Sequence, residues 1–106
     1  MIVLGSDHGG MELKTAVQHL LADRGLEMRD MGTDNGDSVD YPDFAGRVAL
    51  AVSRGEASLG VLICGTGIGM SIAANKYPGV RAALVTDEYM AKMAREHNNA
   101  NILVMG

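Results

Sequence analysis

Short apolar runs alternate with helix-patterned segments along the whole chain, and that alternation leaves few folds open. "MIVLG" (1–5), "LGVLIC" (59–64), "VRAALV" (80–85) and "NILVM" (101–105) are nearly continuous in apolar character. Strands buried on both faces read this way, as in a parallel sheet. "LEMRDMG" (26–32) is a weaker member of the set.

Between the runs, Leu13, Val17, Leu20 and Leu21 form one helical stripe that Gly25 stops. A polar loop, "TDNGDSVDYPD", leads to a helix start at Asp40 and Pro42, with Phe44, Val48, Ala51 and Val52 at helical spacing before Gly55. "MSIAANKY" is a short third helix closed by Pro78-Gly79. Thr86 is placed to cap a fourth, whose Met90, Met93, Ala94 and His97 share a face and whose methionines are expected in the core. The class is α/β, a five-stranded parallel sheet flanked by helices. A fifth parallel strand ordinarily leads into a covering helix. None follows here, so either a partner subunit covers that face or the sequence is incomplete.

A chain of 106 residues is one domain at most. A formal net charge of −4 offers no field for nucleic acid or an anionic membrane. No apolar stretch is long enough to cross a bilayer. No secretory signal opens the sequence, and the single cysteine suits a reducing compartment, so a cytoplasmic protein is expected.

Ligands in open α/β sheets bind beyond the carboxyl ends of the strands. One edge is expected to gather Asp7 and His8, then Cys64, Gly65, Thr66, Gly67 and Gly69, then Thr86 and Asp87, with His97, Asn98 and Asn99 just ahead of the last strand. Three glycines within five residues let the backbone approach a ligand closely, and amides at a helix start attract anions. The same surroundings favour the thiolate of Cys64, making it a candidate base or nucleophile.

Each residue also has a plainer reading. A lone cysteine at a strand end is often a small buried hydrophobe. His97 complements the dipole at a helix end. Asp7 to Gly10 is turn chemistry, and Tyr41 is a loop aromatic. Named motifs are excluded or weak. A Cys-x5-Arg phosphatase loop needs arginine where Met70 stands, and a P-loop needs Gly-Lys-Ser/Thr after the glycines. One cysteine and three histidines show no zinc spacing. The dinucleotide fingerprint is the nearest rival, but its third glycine comes one residue early.

"GSDHGG", "VDYPDFA", "ICGTGIGMSIAANKYPGVRAAL" and "REHNNANILV" resemble, in order and along nearly the whole chain, the ribose-5-phosphate isomerase B and galactose-6-phosphate isomerase family. The resemblance implies a Rossmann-like three-layer α/β/α sandwich. It implies a homodimer or homotetramer that interconverts aldose and ketose phosphates with neither metal nor cofactor. By position, Cys64 is the base that moves a proton between C1 and C2. Thr66 and the amides of Gly65, Gly67, Ile68 and Gly69 stabilise the enediolate, and His97 opens the sugar ring. Asn98, Asp7 and Tyr41 contact the substrate, and His8 its phosphate. Relatives that use a glutamate in the loop carry it where Met70 stands, which leaves Cys64 as base.

Ribose 5-phosphate is the default substrate, with allose 6-phosphate or galactose 6-phosphate as alternatives. A nucleotide-binding module and a poorly active subunit of a hetero-oligomer are the competing readings. The resemblance further implies a segment past the fifth strand whose arginines grip the phosphate. The single domain at 1–106 is therefore expected to lack its C-terminal part, including a helix. A chain truly ending at Gly106 would bind substrate weakly and expose a sheet face.

Overall fold

The computed structural model describes residues 1–32 and 41–106, with the side chains of Tyr41, Pro42 and Asp43 left aside. Five strands, β1 (Ile2–Ser6), β2 (Met28–Asp30), β3 (Leu59–Ile63), β4 (Ala82–Leu84) and β5 (Ile102–Met105), form one sheet in the order β2-β1-β3-β5-β4. Every pairing is parallel. Four helices lie between them: α1 (Met11–Asp23), α2 (Tyr41–Ser53), α3 (Ile68–Ala74) and α4 (Glu88–Asn98). The expected α/β/α architecture is what the chain adopts.

Continuous apolar strands supply both faces of the sheet at once. Val3, Leu62, Ile102 and Val104 pack beneath α2 and α3 with Phe44, Val48, Val52, Met70 and Ala74. Leu4, Val61 and Ile63 point the other way, against Val17 and Leu21 of α1. The α1 stripe is narrower than the apolar spacing predicts, because Leu13 and Leu20 are exposed. Lys14 is buried in their place, its ammonium 2.9 Å from Asp30 at the end of β2. The methionine-rich α4 also departs from expectation. None of its residues is fully buried, and Met90 is exposed.

Glycine ends α1 and α2 as anticipated. Gly25 and Gly55 take positive φ, and the N–H groups of Leu26 and Glu56 return to the carbonyls of Leu21 and Ala51. Asn99 takes that role at the end of α4, with φ 50°. At the start of α4 the capping side chain is Asp87, which accepts from the Met90 N–H at 2.8 Å. Thr86 does not cap, since its hydroxyl meets the Met90 sulfur. The expected helix-start residue Asp40 lies outside the described residues.

Between α1 and α4 the sheet carries an apolar groove of about 290 Å³, lined in part by Ile2, Leu21, Val61, Ala91, Ala94 and Leu103. The groove opens on the sheet face that packs against α1. Among the described residues, no helix is long and apolar enough to cross a membrane.

Candidate active site

The carboxyl ends of the two central strands and their neighbour converge on Cys64. Its N–H donates to the Met105 carbonyl at 3.1 Å, tying the end of β3 to β5. On the other side, the Asp7 N–H donates to the Ile63 carbonyl at 3.2 Å, tying in the end of β1. The end of β3 is therefore tied to β1 and β5 at once, and Cys64, which follows it, is 7% exposed. The plain reading of a buried thiol is correct for burial, since Cys64 belongs to the apolar core under α2 and α3, but its sulfur also accepts a backbone N–H. The Gly67 N–H donates to Sγ at 3.0 Å.

The glycine loop is tightly fixed. Gly67 adopts φ 81°, and a β-carbon there would come within 2.4 Å of Leu84 Cδ1. Only glycine meets both conditions. Helix α3 starts directly after it at Ile68, earlier than the sequence pattern suggests, so Gly69 and Met70 belong to its first turn. At seven residues this helix is short, and its amides act by direct donation more than through a summed dipole. The Ile68 N–H donates to Thr66 Oγ1 at 3.2 Å. Gly65 and Gly69 donate to no acceptor among the described residues. Met70, at the glutamate position of some relatives, is fully buried in the core under α2.

Beside the loop, after β1, His8–Gly10 form a single 3₁₀ turn capped by Asp7, whose Oδ1 accepts from the Gly10 N–H at 3.0 Å. His8 is exposed and Asp7 half-buried. Both stand at the same sheet edge as Cys64. The α1/α4 side of this edge holds an open groove of about 470 Å³, with Gly65, Thr66, Thr86 and Asp87 among its walls. The Tyr41 side chain, an expected substrate contact, lies outside the described residues.

His97 and Asn98 are not brought to this edge, which corrects the expectation of a single gathering. Helix α4 begins beside the glycine loop, where Glu88 shares the groove with Thr66. It then runs antiparallel to the strands, and nine residues of helical rise carry His97 about 13 Å away. The chain enters β5 at Ile102, which pairs with Gly60 near the start of β3, not with its end. His97 and Asn98 are exposed at that opposite edge. Sequence order hid this, because a residue preceding a parallel strand sits at the edge remote from one following it. What the sequence did not reveal at all is the Gly67 amide on the thiol; the positive φ that a glycine permits was the available signal.

Similarity to known proteins bears on this arrangement. The family model for Ribose/Galactose Isomerase matches residues 2–106. Ribose-5-phosphate isomerase B of Escherichia coli is 48% identical over 105 residues, covering 99% of this chain and 70% of the relative. The structure of Clostridium thermocellum ribose-5-phosphate isomerase B superposes with a TM-score of 0.96 at 58% identity, over 99% of this chain and 71% of that one. The Mycoplasma genitalium ribose-5-phosphate isomerase B, solved with bound ribulose-5-phosphate, gives a TM-score of 0.95 at 45% identity, over 99% and 70%. With the family model matching residues 2–106 and relatives of 48% and 58% identity covered over 70% and 71% of their length, the chain belongs to the ribose/galactose isomerase family.

Proposed function

We propose that this protein interconverts ribose 5-phosphate and ribulose 5-phosphate in the cytoplasm through an enediolate, without metal or cofactor, and that Cys64 is the base. The observation that carries the reading is the buried thiol at the end of β3 with the Gly67 N–H on its sulfur, beside a loop whose Gly65 and Gly69 amides have no acceptor among the described residues. The relatives named above and the ribulose-5-phosphate held by one of them support the substrate class.

In the forward direction the thiolate takes the proton from C2 of the open-chain aldose. The electron pair forms the C1–C2 double bond, and negative charge builds on the carbonyl oxygen at C1. Donors fixed where that charge develops lower the barrier. The Thr66 hydroxyl and the Gly65 and Gly69 amides are suited to it. The thiol then returns its proton to C1, while the hydroxyl proton at C2 is lost and the C1 oxygen is protonated, giving the ketose. A residue that accepts and returns one proton serves both directions. Asp7 and Tyr41 contact substrate hydroxyls and His8 contacts the phosphate in this reading.

His97 opens the ring and Asn98 steadies the substrate, but both stand at the far edge of their own chain. In this reading they act on the Cys64 site of a second copy, which makes the working unit at least a homodimer.

The test is conversion of ribose 5-phosphate by the full-length protein, by Cys64→Ala, by His97→Gln and by an equal mixture of the two variants. Activity in wild type alone and partial recovery in the mixture are expected. Activity retained by Cys64→Ala would overturn the base assignment, and no recovery from folded, mixed subunits would overturn the shared site. The family description joins ribose and galactose isomerases, so allose 6-phosphate and galactose 6-phosphate belong in the same assay; faster turnover of either would replace the pentose.

A further inference from the structure

We infer that the Gly67 amide serves the thiol of Cys64 and not the substrate, as a positioning group that tracks the charge on sulfur during each turnover; this rests on Cys64 being the base of the proposed isomerisation. The Gly67 N–H donates to Sγ at 3.0 Å within the protein interior. A hydrogen bond to an ionised acceptor is roughly twice as strong as one between neutral groups. The contact therefore strengthens as the thiol gives up its proton and relaxes as the proton returns.

The loop divides its donors accordingly. Gly67 N–H is committed to sulfur and Ile68 N–H to Thr66 Oγ1, while the Gly67 carbonyl accepts the Ser71 N–H. Gly65 and Gly69 keep their N–H groups for an oxygen that is not part of the protein among the described residues. The amides expected to form one oxyanion cradle thus form two sets, one for the base and one for the substrate. Leu84 and the Met105 backbone close around Gly67, so the loop cannot readily turn this N–H toward a ligand.

The experiment replaces Gly67 with glycolic acid in the full-length protein by nonsense suppression, which turns the Thr66–Gly67 amide into an ester and removes that N–H alone. The same exchange at Gly69 is the comparison. The readouts are the alkylation rate of Cys64 by iodoacetamide at neutral pH, the thiolate ultraviolet absorbance, and kcat and KM for ribose 5-phosphate. The ester at 67 is expected to slow alkylation about tenfold and to lower kcat with KM little changed. The ester at 69 is expected to lower kcat while alkylation stays at the wild-type rate. Unchanged alkylation in a folded 67 ester would overturn the inference, whatever happens to kcat. Alkylation needs no sugar phosphate, so slowed alkylation in a protein that isomerises nothing would instead sink the functional reading. A second measurement does not depend on the ester folding. In Cys64→Ala the Gly67 amide proton resonance should move upfield and exchange faster with solvent, and an unmoved resonance would also overturn the inference.

Discussion

Gly10 lies directly against the end of β3, where a β-carbon on it would stand 2.8 Å from both the carbonyl oxygen and Cγ2 of Ile63. Ile63 is the residue before Cys64, and its carbonyl also accepts the Asp7 N–H. The turn after β1 is thus docked on the strand that presents the thiol. Gly10→Ala must push the turn away or distort β3, at a cost of about 1–3 kcal/mol. Chemical denaturation should record that loss, and kcat/KM should fall because Asp7 and His8 move relative to Cys64. Gly9→Ala is the control: its β-carbon would meet only Asp7 Oδ1 at 3.6 Å, so stability should change little. Equal stability of the two variants would mean that the docking of Gly10 is not tight in solution.

The strands were legible because burial on both faces leaves no room for polar alternation, and Val3, Leu4, Leu62 and Ile63 are all essentially inaccessible. Helix ends were legible where glycine supplies positive φ, at 25 and 55. The misreadings share one cause, which is that periodicity reports spacing along an element and not what lies across from it. Lys14 reads as a solvated residue until Asp30 arrives from a strand sixteen positions later. Met90 reads as core, yet it is exposed on a helix none of whose residues is fully buried. Cys64 and the glycine loop could be placed at one edge because both follow a strand. His97 was misplaced because the direction of α4, not its proximity in sequence to β5, decides which edge its last turn reaches.

Asp87 offers a simple test of local stability. Its carboxylate accepts from the Met90 N–H at 2.8 Å in extended backbone geometry, φ −153°. Removing an N-cap of this kind costs about 1 kcal/mol. Asp87→Ala should lower the melting temperature by a few degrees, whereas Asp87→Asn should lose less because it keeps an acceptor. Thr86→Ala should leave the helix intact. A larger effect at 86 than at 87 would move the cap.

Asp30 is the heavier anchor. Its two oxygens take Lys14 Nζ at 3.0 and 2.9 Å, the Gly32 N–H at 2.9 Å and Gln18 Nε2 at 3.3 Å. One side chain thereby fixes α1 to the edge strand β2. Losing charge-assisted bonds to a buried ammonium is expensive, and Asp30→Ala should cost about 2 kcal/mol or more in urea unfolding. Asp30→Asn retains an acceptor for Gly32 and should fall between the two. A neutral result for Asp30→Ala would show that β2 is held by its backbone ladder alone.

Thr66 separates the chemistry of the loop from its folding. Its Oγ1 already accepts the Ile68 N–H at 3.2 Å, so the hydroxyl proton is left to donate elsewhere; in the proposed reaction it donates toward the oxygen that becomes negative in the enediolate. Thr66→Val keeps the shape and removes both the acceptor and the donor. Loss of one donor at a developing oxyanion lowers kcat by about 10²-fold or more. KM should change far less, since the donor matters most in the transition state. Thr66→Ser restores the hydroxyl and should restore most of kcat, which a purely structural role for the threonine methyl would not do. Steady-state kinetics on ribose 5-phosphate, with thermal melting of each variant alongside, distinguishes the cases. A kcat within twofold of wild type in a folded Thr66→Val would remove this hydroxyl from the oxyanion site and leave the Gly65 and Gly69 amides to carry the charge.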